Sequence, residues 1–400
     1  MNILVANLTK MVDDSGGLAK VTCEFSNEMK RRGHCVTMVY SDEKKGNFYY
    51  PIDEDIPCYD IRHFEGKSIH YPWYLKVKRE ILRPINKRKA RTVNTDFAQK
   101  YLLKNLSRVL EITKPDVIVA FQSAASKMLI CDLHTDIPVV TMSHGDPEDY
   151  FHTYPEAEIP ALEKSSVCQV LLPSFEAHLK HHLPKAKTVV IGNAIPQYNT
   201  GADLSAEKKL HRIVFVGRLS KGHKRPHLLI EAFSGLAKNF PDWQLELWGA
   251  EDGKAYYKEL QLMIHQKKME KRIFLKGTTN HVEDVLRRAD IFAFPSAYEG
   301  FSLALGEAMS MGLPSVAFKS CESVCGMIED GKTGILCADG VQPFQDALQS
   351  LMQDRELRVE IGRNARVAMK SFAPDVIWDK WENLLEGIVK EHHLKIHKLI

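Results

Sequence analysis

Short apolar runs rich in β-branched residues alternate with longer amphipathic stretches along this chain. NILVAN, CVTMVY, DVIVAF, PVVTMS, CQVLLP and TVVIG occupy the first half, and RIVFVG, WQLELWG, RIFLKG, DIFAFP, PSVAF and GILC the second. Such runs, bounded by turn residues, fit strands buried on both faces, and the helical periodicity between them supplies the crossovers that parallel strands need. The pattern predicts two series of βαβ units. Between the series, GNAIPQYNTGADLSAEKK over residues 192–209 shows no periodicity, and Pro196 and Gly201 mark it as a linker. The expected architecture is α/β, two doubly wound domains facing each other across a cleft, residues 1–195 and 196–374. A last helical stretch, 375–400, carries Trp378, Trp381, Leu384, Leu385 and Ile388 at helical spacing, so it must bury a face and is expected to cross back to the first domain.

Composition narrows the function classes. With 400 residues, 44% hydrophobic and 26% charged, the chain reads as an ordinary globular protein, which excludes disordered, collagen-like and disulfide-framework classes. Lys plus Arg total 54 against 51 acidic residues, a net charge of +3, too small to make nucleic acid the default partner. The eight cysteines form no CxxC pair, so neither a zinc ribbon nor a dithiol redox motif is expected. Most sit in apolar runs, where a reduced thiol behaves as a small hydrophobe, and this points to a reducing cytoplasm. MNILVANLTK lacks a basic region followed by an apolar stretch, and no apolar run approaches the ~18 residues that span a bilayer. The expectation is a cytoplasmic protein.

Ligands in open α/β sheets bind beyond the carboxyl ends of the strands, so the loops after the strands hold the candidate chemistry. After DIFAFP the chain reads SAYEGFSLALGEAMSMGLPSVAF, a loop and then a helix of about ten residues ended by Gly312 and Pro314. Amides of Phe301, Ser302 and Leu303 at the start of that helix would form an anion site. Glu299 lies before the helix and Glu307 on it. A ribose diol would suit Glu307 and a hexose hydroxyl Glu299, against the plainer reading of two solvated carboxylates. After RIVFVG the loop GRLSKGHKRPHLLIEAF brings Arg218 and Lys224 toward one spot, an arrangement that a diphosphate would stabilise, with an ordinary basic loop as the alternative. In the first half, Gly16 and Gly17 open a helix, permitting close backbone approach or making a plain turn. His144 stands at the end of the PVVTMS strand, either lining a site or serving structure.

Together, EGFSLALGEAM and GRLSKGHKRPHLLIEAF resemble the retaining GT-B glycosyltransferases of the family 4 type, a large group that includes sucrose synthase, phosphatidylinositol mannosyltransferases and many lipopolysaccharide and capsule enzymes. The resemblance covers nearly the whole second half. In the first half it rests on the Gly16–Gly17 pair, His144 and VVIGNAIP. It implies two Rossmann-like domains, acceptor binding by the first and nucleotide-sugar binding by the second. Arg218 and Lys224 would hold the donor diphosphate, Glu307 the ribose, Glu299 a sugar hydroxyl, and the amides of Phe301, Ser302 and Leu303 phosphate or sugar. His144 would line the reaction centre, Gly16 and Gly17 would lie near the phosphates, and no metal ion or other cofactor would be needed. The donor would be a UDP-sugar ahead of a GDP-sugar, the acceptor a glycan or lipid-linked glycan of bacterial cell-surface polysaccharide synthesis. One departure is that Cys325, Gly326 and Met327 stand before Ile328 where many members carry a Glu-containing pair. Asp53 and Asp55, spaced like a metal-binding DxD, follow no strong strand and read as a turn.

Two competing functions remain. A nucleotide-sugar 2-epimerase would share the architecture, and a non-catalytic nucleotide-binding assembly subunit would bind without turnover. Residues 73–91 hold eight basic residues and one acidic residue, interleaved with Trp73, Tyr74, Leu75, Ile81 and Leu82. The segment reads either as an anionic-membrane surface contact, making the protein peripheral on the inner face of the membrane, or as a solvated basic helix interrupted at Pro84.

Overall fold

The apolar runs become strands of two sheets in a computed structural model that describes residues 1–399, with TVVIG, RIFLKG and GILC at sheet edges, where they are only partly buried, and the other runs inside. The chain divides into two units: Met1–Gly192 with the residues from Ile377 onward, and Asn193–Val376.

The first unit contains β1 (Asn2–Asn7), β2 (Cys35–Tyr40), β3 (Cys58–Asp60), the short pair β4 (His63–Phe64) and β5 (Lys67–Ser68), β6 (Val117–Ala120), β7 (Val139–Met142), β8 (Val167–Val170) and β9 (Thr188–Val190). Its main sheet runs β3-β2-β1-β6-β7-β8-β9. All these neighbours pair in parallel, with Ile3 opposite Val36 on one side and Val117 on the other. Every residue of β6, β7 and β8 is buried, as expected of parallel strands covered on both faces. The helix Gly17–Arg31 buries Ala19, Cys23, Phe25 and Met29 and places Lys30 and Arg31 in its last turn, where cations favour the helix dipole. The final helix, Pro374–Leu399, belongs to this unit from Ile377. Trp381 is 2% exposed and meets the Phe25 ring edge-on at 5.2 Å. Arg32 and His34 hold Glu382 of that helix at 2.6 and 3.0 Å.

The second unit contains β10 (His211–Val216), β11 (Trp243–Trp248), β12 (Ile273–Gly277), β13 (Ile291–Phe294), β14 (Ser315–Phe318) and β15 (Ile335–Cys337) in the order β12-β11-β10-β13-β14-β15, again parallel throughout. Phe215, Phe233, Trp243 and Phe344 fill its core. The helices Pro226–Leu236 and Val341–Gln353 pack together.

Some local expectations shift. The helix Trp73–Ile85 contains Pro84 rather than stopping there. A proline this close to the carboxyl end of a helix removes at most one late hydrogen bond, and Asn86 separates this helix from Lys87–Tyr101. Four cysteines are buried, whereas Cys35, Cys58 and Cys325 are exposed and Cys131 is half-buried, because strand edges and helix ends leave part of an apolar run in solvent. Asp53 and Asp55 sit in a turn and pair with Lys30 at 2.5 and 2.9 Å. Among the described residues, no helix is long and apolar enough to cross a membrane.

Candidate functional site

The strand order of the second unit reverses between β10 and β13, which pair through Ile213↔Ile291 and Val214↔Phe292. Crossovers to opposite faces diverge at such a point and leave room beyond the strand ends. Residues 217–225 leave β10 there, and residues 295–302 leave β13.

The first of these loops is folded by glycine and local capping. Gly249, with φ of 146°, passes so close that a Cβ on it would lie 2.0 Å from the Gly217 carbonyl oxygen, so only glycine fits. The Gly217 amide bonds the Trp248 carbonyl at 2.9 Å, and the Leu219 amide bonds the Ala250 carbonyl at 2.8 Å. The Lys224 amide donates to Ser220 Oγ at 3.2 Å. Pro226 then opens the helix Pro226–Leu236, where its missing N–H costs nothing.

Three contacts lace the two loops together. The Ala297 amide donates to the His223 carbonyl at 2.7 Å, and Arg225 Nε to the Pro295 carbonyl at 3.0 Å. Lys224 Nζ lies 2.6 Å from Glu299 Oε1, with the two side chains 20% and 12% exposed. This contact is an ion pair rather than an aligned hydrogen bond. The ammonium also sits 4.9 Å from the Phe294 ring centroid. It has three donors, so the pair leaves it capacity for another anion. Arg218 is exposed and, among the described residues, forms no ion pair.

The helix that follows, Leu303–Ser310, is capped by Ser302, whose Oγ accepts from the Leu305 amide at 3.2 Å. Phe301 is buried against Phe372 with ring centroids 5.4 Å apart. These anchors turn both side chains inward. Among the described residues, the amides of Phe301, Ser302, Leu303 and Ala304 meet no acceptor, so the positive end of the helix is open. Glu307 is half-buried on the same helix. Burial, and then the charge of Glu307, push the Tyr198 hydroxyl above its ordinary range. The Cys325 departure forms the end of a one-turn helix, Glu322–Cys325.

The remaining candidates belong to the first unit. Gly16 precedes the helix Gly17–Arg31 in an ordinary extended conformation, its amide bonded to Asp14 Oδ1 at 3.0 Å, and Gly17 has nothing within 4 Å of where a Cβ would stand. The protein's own packing therefore does not require glycine at 17. His144 follows β7 and stacks on Phe121, with centroids 5.2 Å apart and an interplanar angle of 22°. Its Nε2 is buried without a hydrogen-bond partner, and burial holds its pKa down to about 4. At neutral pH it is an uncharged imidazole with one ring nitrogen unused.

Residues 15–197 match the family described as Glycosyltransferase Family 4, and residues 198–368 match Glycosyl transferases group 1. The chain belongs to the family 4-type GT-B glycosyltransferases. Among curated proteins, an uncharacterized glycosyltransferase of Haemophilus influenzae is 27% identical over 222 residues, 55% of this chain and 62% of that protein. Other curated relatives are covered over as little as 28% of their length. Among solved structures, sucrose-phosphate synthase from Thermosynechococcus elongatus superposes with a TM-score of 0.76 at 15% identity, covering 98% of this chain and 99% of that one. A variant of S. aureus TarM, solved with Fondaparinux, alpha-GlcNAc-glycerol and UDP, gives 0.72 at 17% identity, covering 96% and 99%. These likenesses place the fold among GT-B structures.

Two residues that brace these loops leave little mark in the sequence. Arg225 bonds Asp339 at 2.9 Å and lies 4.7 Å over the Phe318 ring, and Gly249 sits on a neighbouring strand end. A glycine directly after a predicted strand was the available signal for Gly249. Arg225 carries none, since its partners are distant in sequence.

Proposed function

We propose that this protein transfers a sugar from a nucleotide-sugar donor, a UDP-sugar ahead of a GDP-sugar, to a glycan or glycolipid acceptor, with retention at the anomeric carbon and without a metal ion. The observation that carries this reading is the pair of laced loops in the second unit, with Lys224 on Glu299 at 2.6 Å beside four unbonded amides. TarM, bound to UDP in its own crystal, supports the choice of donor. Breaking the bond between the anomeric carbon and the diphosphate oxygen leaves charge on that oxygen, and fixed donors stabilise such charge without reorganising. Arg218, Lys224 and the amides from Phe301 to Ala304 would supply those donors. Glu307 would accept from both hydroxyls of the ribose, and Glu299, positioned by Lys224, from a hydroxyl of the sugar. In this reading the acceptor oxygen attacks on the face the diphosphate leaves, and its proton passes to the departing phosphate oxygen, which balances the exchange. His144, neutral at pH 7, would hydrogen-bond a sugar hydroxyl rather than carry charge.

The same reading gives the protein a role in bacterial cell-surface polysaccharide synthesis, peripheral on the inner face of the membrane. On the helix Trp73–Ile85, Trp73, Val77, Ile81 and Ile85 recur every four residues and are 77%, 49%, 60% and 74% exposed, an outward apolar stripe among cations. A panel of nucleotide-sugars, with crude glycolipids as acceptors and mass spectrometry as readout, tests the central reading. Transfer with retained anomeric configuration that survives a chelator is expected. Epimerised donor without transfer, or binding with neither transfer nor donor hydrolysis, would overturn it.

A further inference from the structure

The first unit holds a cavity of about 580 Å³, a volume typical of small-molecule sites. It opens beyond β1, β2 and β6, where the order of this sheet reverses. Six cations line it, Lys10, Lys44, Arg62, Lys76, Arg79 and Arg91, against three carboxylates. Two of those carboxylates are occupied by the protein itself. Asp42 accepts the amides of Met11 at 2.8 Å, Val12 at 2.9 Å and Lys44 at 3.0 Å. Glu158, 3% exposed, accepts from Ser123 Oγ at 2.6 Å and Thr95 Oγ1 at 2.8 Å, and burial pushes its pKa up. The third, Glu43, is half exposed.

Arg62 shows what the cavity lacks. Its side chain is 14% exposed, with the guanidinium 4.9 Å over the Phe97 ring, and Nε donates to Ser41 Oγ at 3.1 Å. Its NH1 is buried without a hydrogen-bond partner, and the Glu43 carboxylate stands 3.8 Å away, well beyond the ~2.7–2.9 Å of a charge-assisted bond. Glu43, Asp60 and Asp42 supply negative charge around this guanidinium, but none of them accepts a hydrogen bond from NH1, and a buried donor left unfilled is costly unless an oxyanion completes it. Arg79 and Arg91 are spoken for in part, by Glu80 at 2.9 Å and by Thr153 at 2.6 Å, whereas Lys10, Lys44 and Lys76 are exposed at the cavity.

We infer that this cavity binds a sugar or polyol bearing an oxyanion, a phosphate or a carboxylate, which pairs with the Arg62 guanidinium while the apolar and aromatic walls hold the uncharged body. The inference rests on the proposed transferase reading only in naming that ligand the acceptor. Lys76 and Arg79 come from the same helix as the outward apolar stripe, so an anionic headgroup linked to lipid would meet this wall first.

Calorimetric titration of the full chain with glucose 6-phosphate, glucuronate and glucose tests the inference and separates the two oxyanions. Glucose 6-phosphate or glucuronate is expected to bind at least tenfold tighter than glucose. Arg62→Gln should weaken the tighter of the two at least fivefold and leave UDP affinity unchanged, whereas Arg218→Ala should weaken UDP alone. Should Arg62→Gln fail to fold, the exposed pair Lys10→Gln and Lys44→Gln together should weaken the same ligand at least threefold. Glucose binding as tightly as both charged sugars, affinity indifferent to the substitutions in the cavity, or loss of the sugar anion through Arg218→Ala would each overturn the assignment. Failure of UDP binding alone would count against the donor site and leave the cavity's result standing.

Discussion

Lys224 and Arg218 should differ in what their removal does to the folded protein, although the proposed reading places both on the same diphosphate. Arg218 is exposed and unpaired among the described residues, so Arg218→Ala should lower UDP affinity by roughly 10- to 100-fold, the loss of a charge-assisted hydrogen bond of about 1.5–3 kcal/mol, with no change in stability. Lys224 neutralises Glu299, a carboxylate only 12% exposed. Lys224→Ala should therefore cost about 1–3 kcal/mol of stability in addition to UDP affinity, and Glu299→Gln in the same chain should recover part of it. Urea denaturation and calorimetry on the four proteins check both statements. Equal stability of the two single variants would show that the Lys224–Glu299 contact is energetically empty.

Acid should weaken the folded protein partly through His144. Its folded pKa of about 4 lies below the unfolded value near 6.5, so the unfolded chain binds the extra proton. The stability this group contributes is fully present above pH ~6.5 and is lost as the pH falls toward ~4, up to about 3 kcal/mol. His144→Gln should flatten that part of the stability profile between pH 7 and 4.5. An unchanged slope would mean that other groups control acid unfolding.

At the scale of elements, the loops are more exacting than the helix they introduce. Gly249→Ala would drive a methyl group to 2.0 Å from the Gly217 carbonyl at a φ of 146°, and the backbone between Gly217 and Arg218 would have to move. A loss of several kcal/mol and of UDP affinity is expected. Gly17→Ala, with open space around the new methyl and a helical position, should be neutral or stabilising by up to about 1 kcal/mol. Thermal unfolding of the two variants separates a glycine required by packing from one that is not. This contrast also marks what the sequence reveals. Strands and crossovers were legible because apolar runs and helical periodicity are local signals, and the loops around Arg218 and Glu299 were legible because they follow strands. The lacing by Ala297 on His223 and Arg225 on Pro295, and the half-paired Arg62 above Phe97, join residues 35 to 74 positions apart. No periodicity encodes such contacts, and they arise only once strand order has placed the loops side by side.

Across the whole chain, the proposed reading puts nucleotide binding in one unit and leaves turnover dependent on both. The first unit is discontinuous, since its Phe25 face is covered by Trp378 and Trp381 from the far end of the chain. Removing that cover exposes an aromatic cluster, and losing a buried Trp alone costs about 3–5 kcal/mol. Residues 1–192 expressed alone should therefore lack a cooperative unfolding transition. Asn193–Val376 is continuous and contains Arg218, Lys224, Glu299, Glu307 and the open amides, so it should fold alone and bind UDP within about threefold of the full chain. It should catalyse nothing, because His144 and the Arg62 cavity belong to the other unit. In the full chain, His144→Ala should accordingly reduce turnover while leaving UDP affinity nearly intact. If the isolated segment folds cooperatively but does not bind UDP, or if His144→Ala abolishes nucleotide binding, the donor site is not confined to the second unit and Arg218 and Lys224 do not hold the diphosphate on their own.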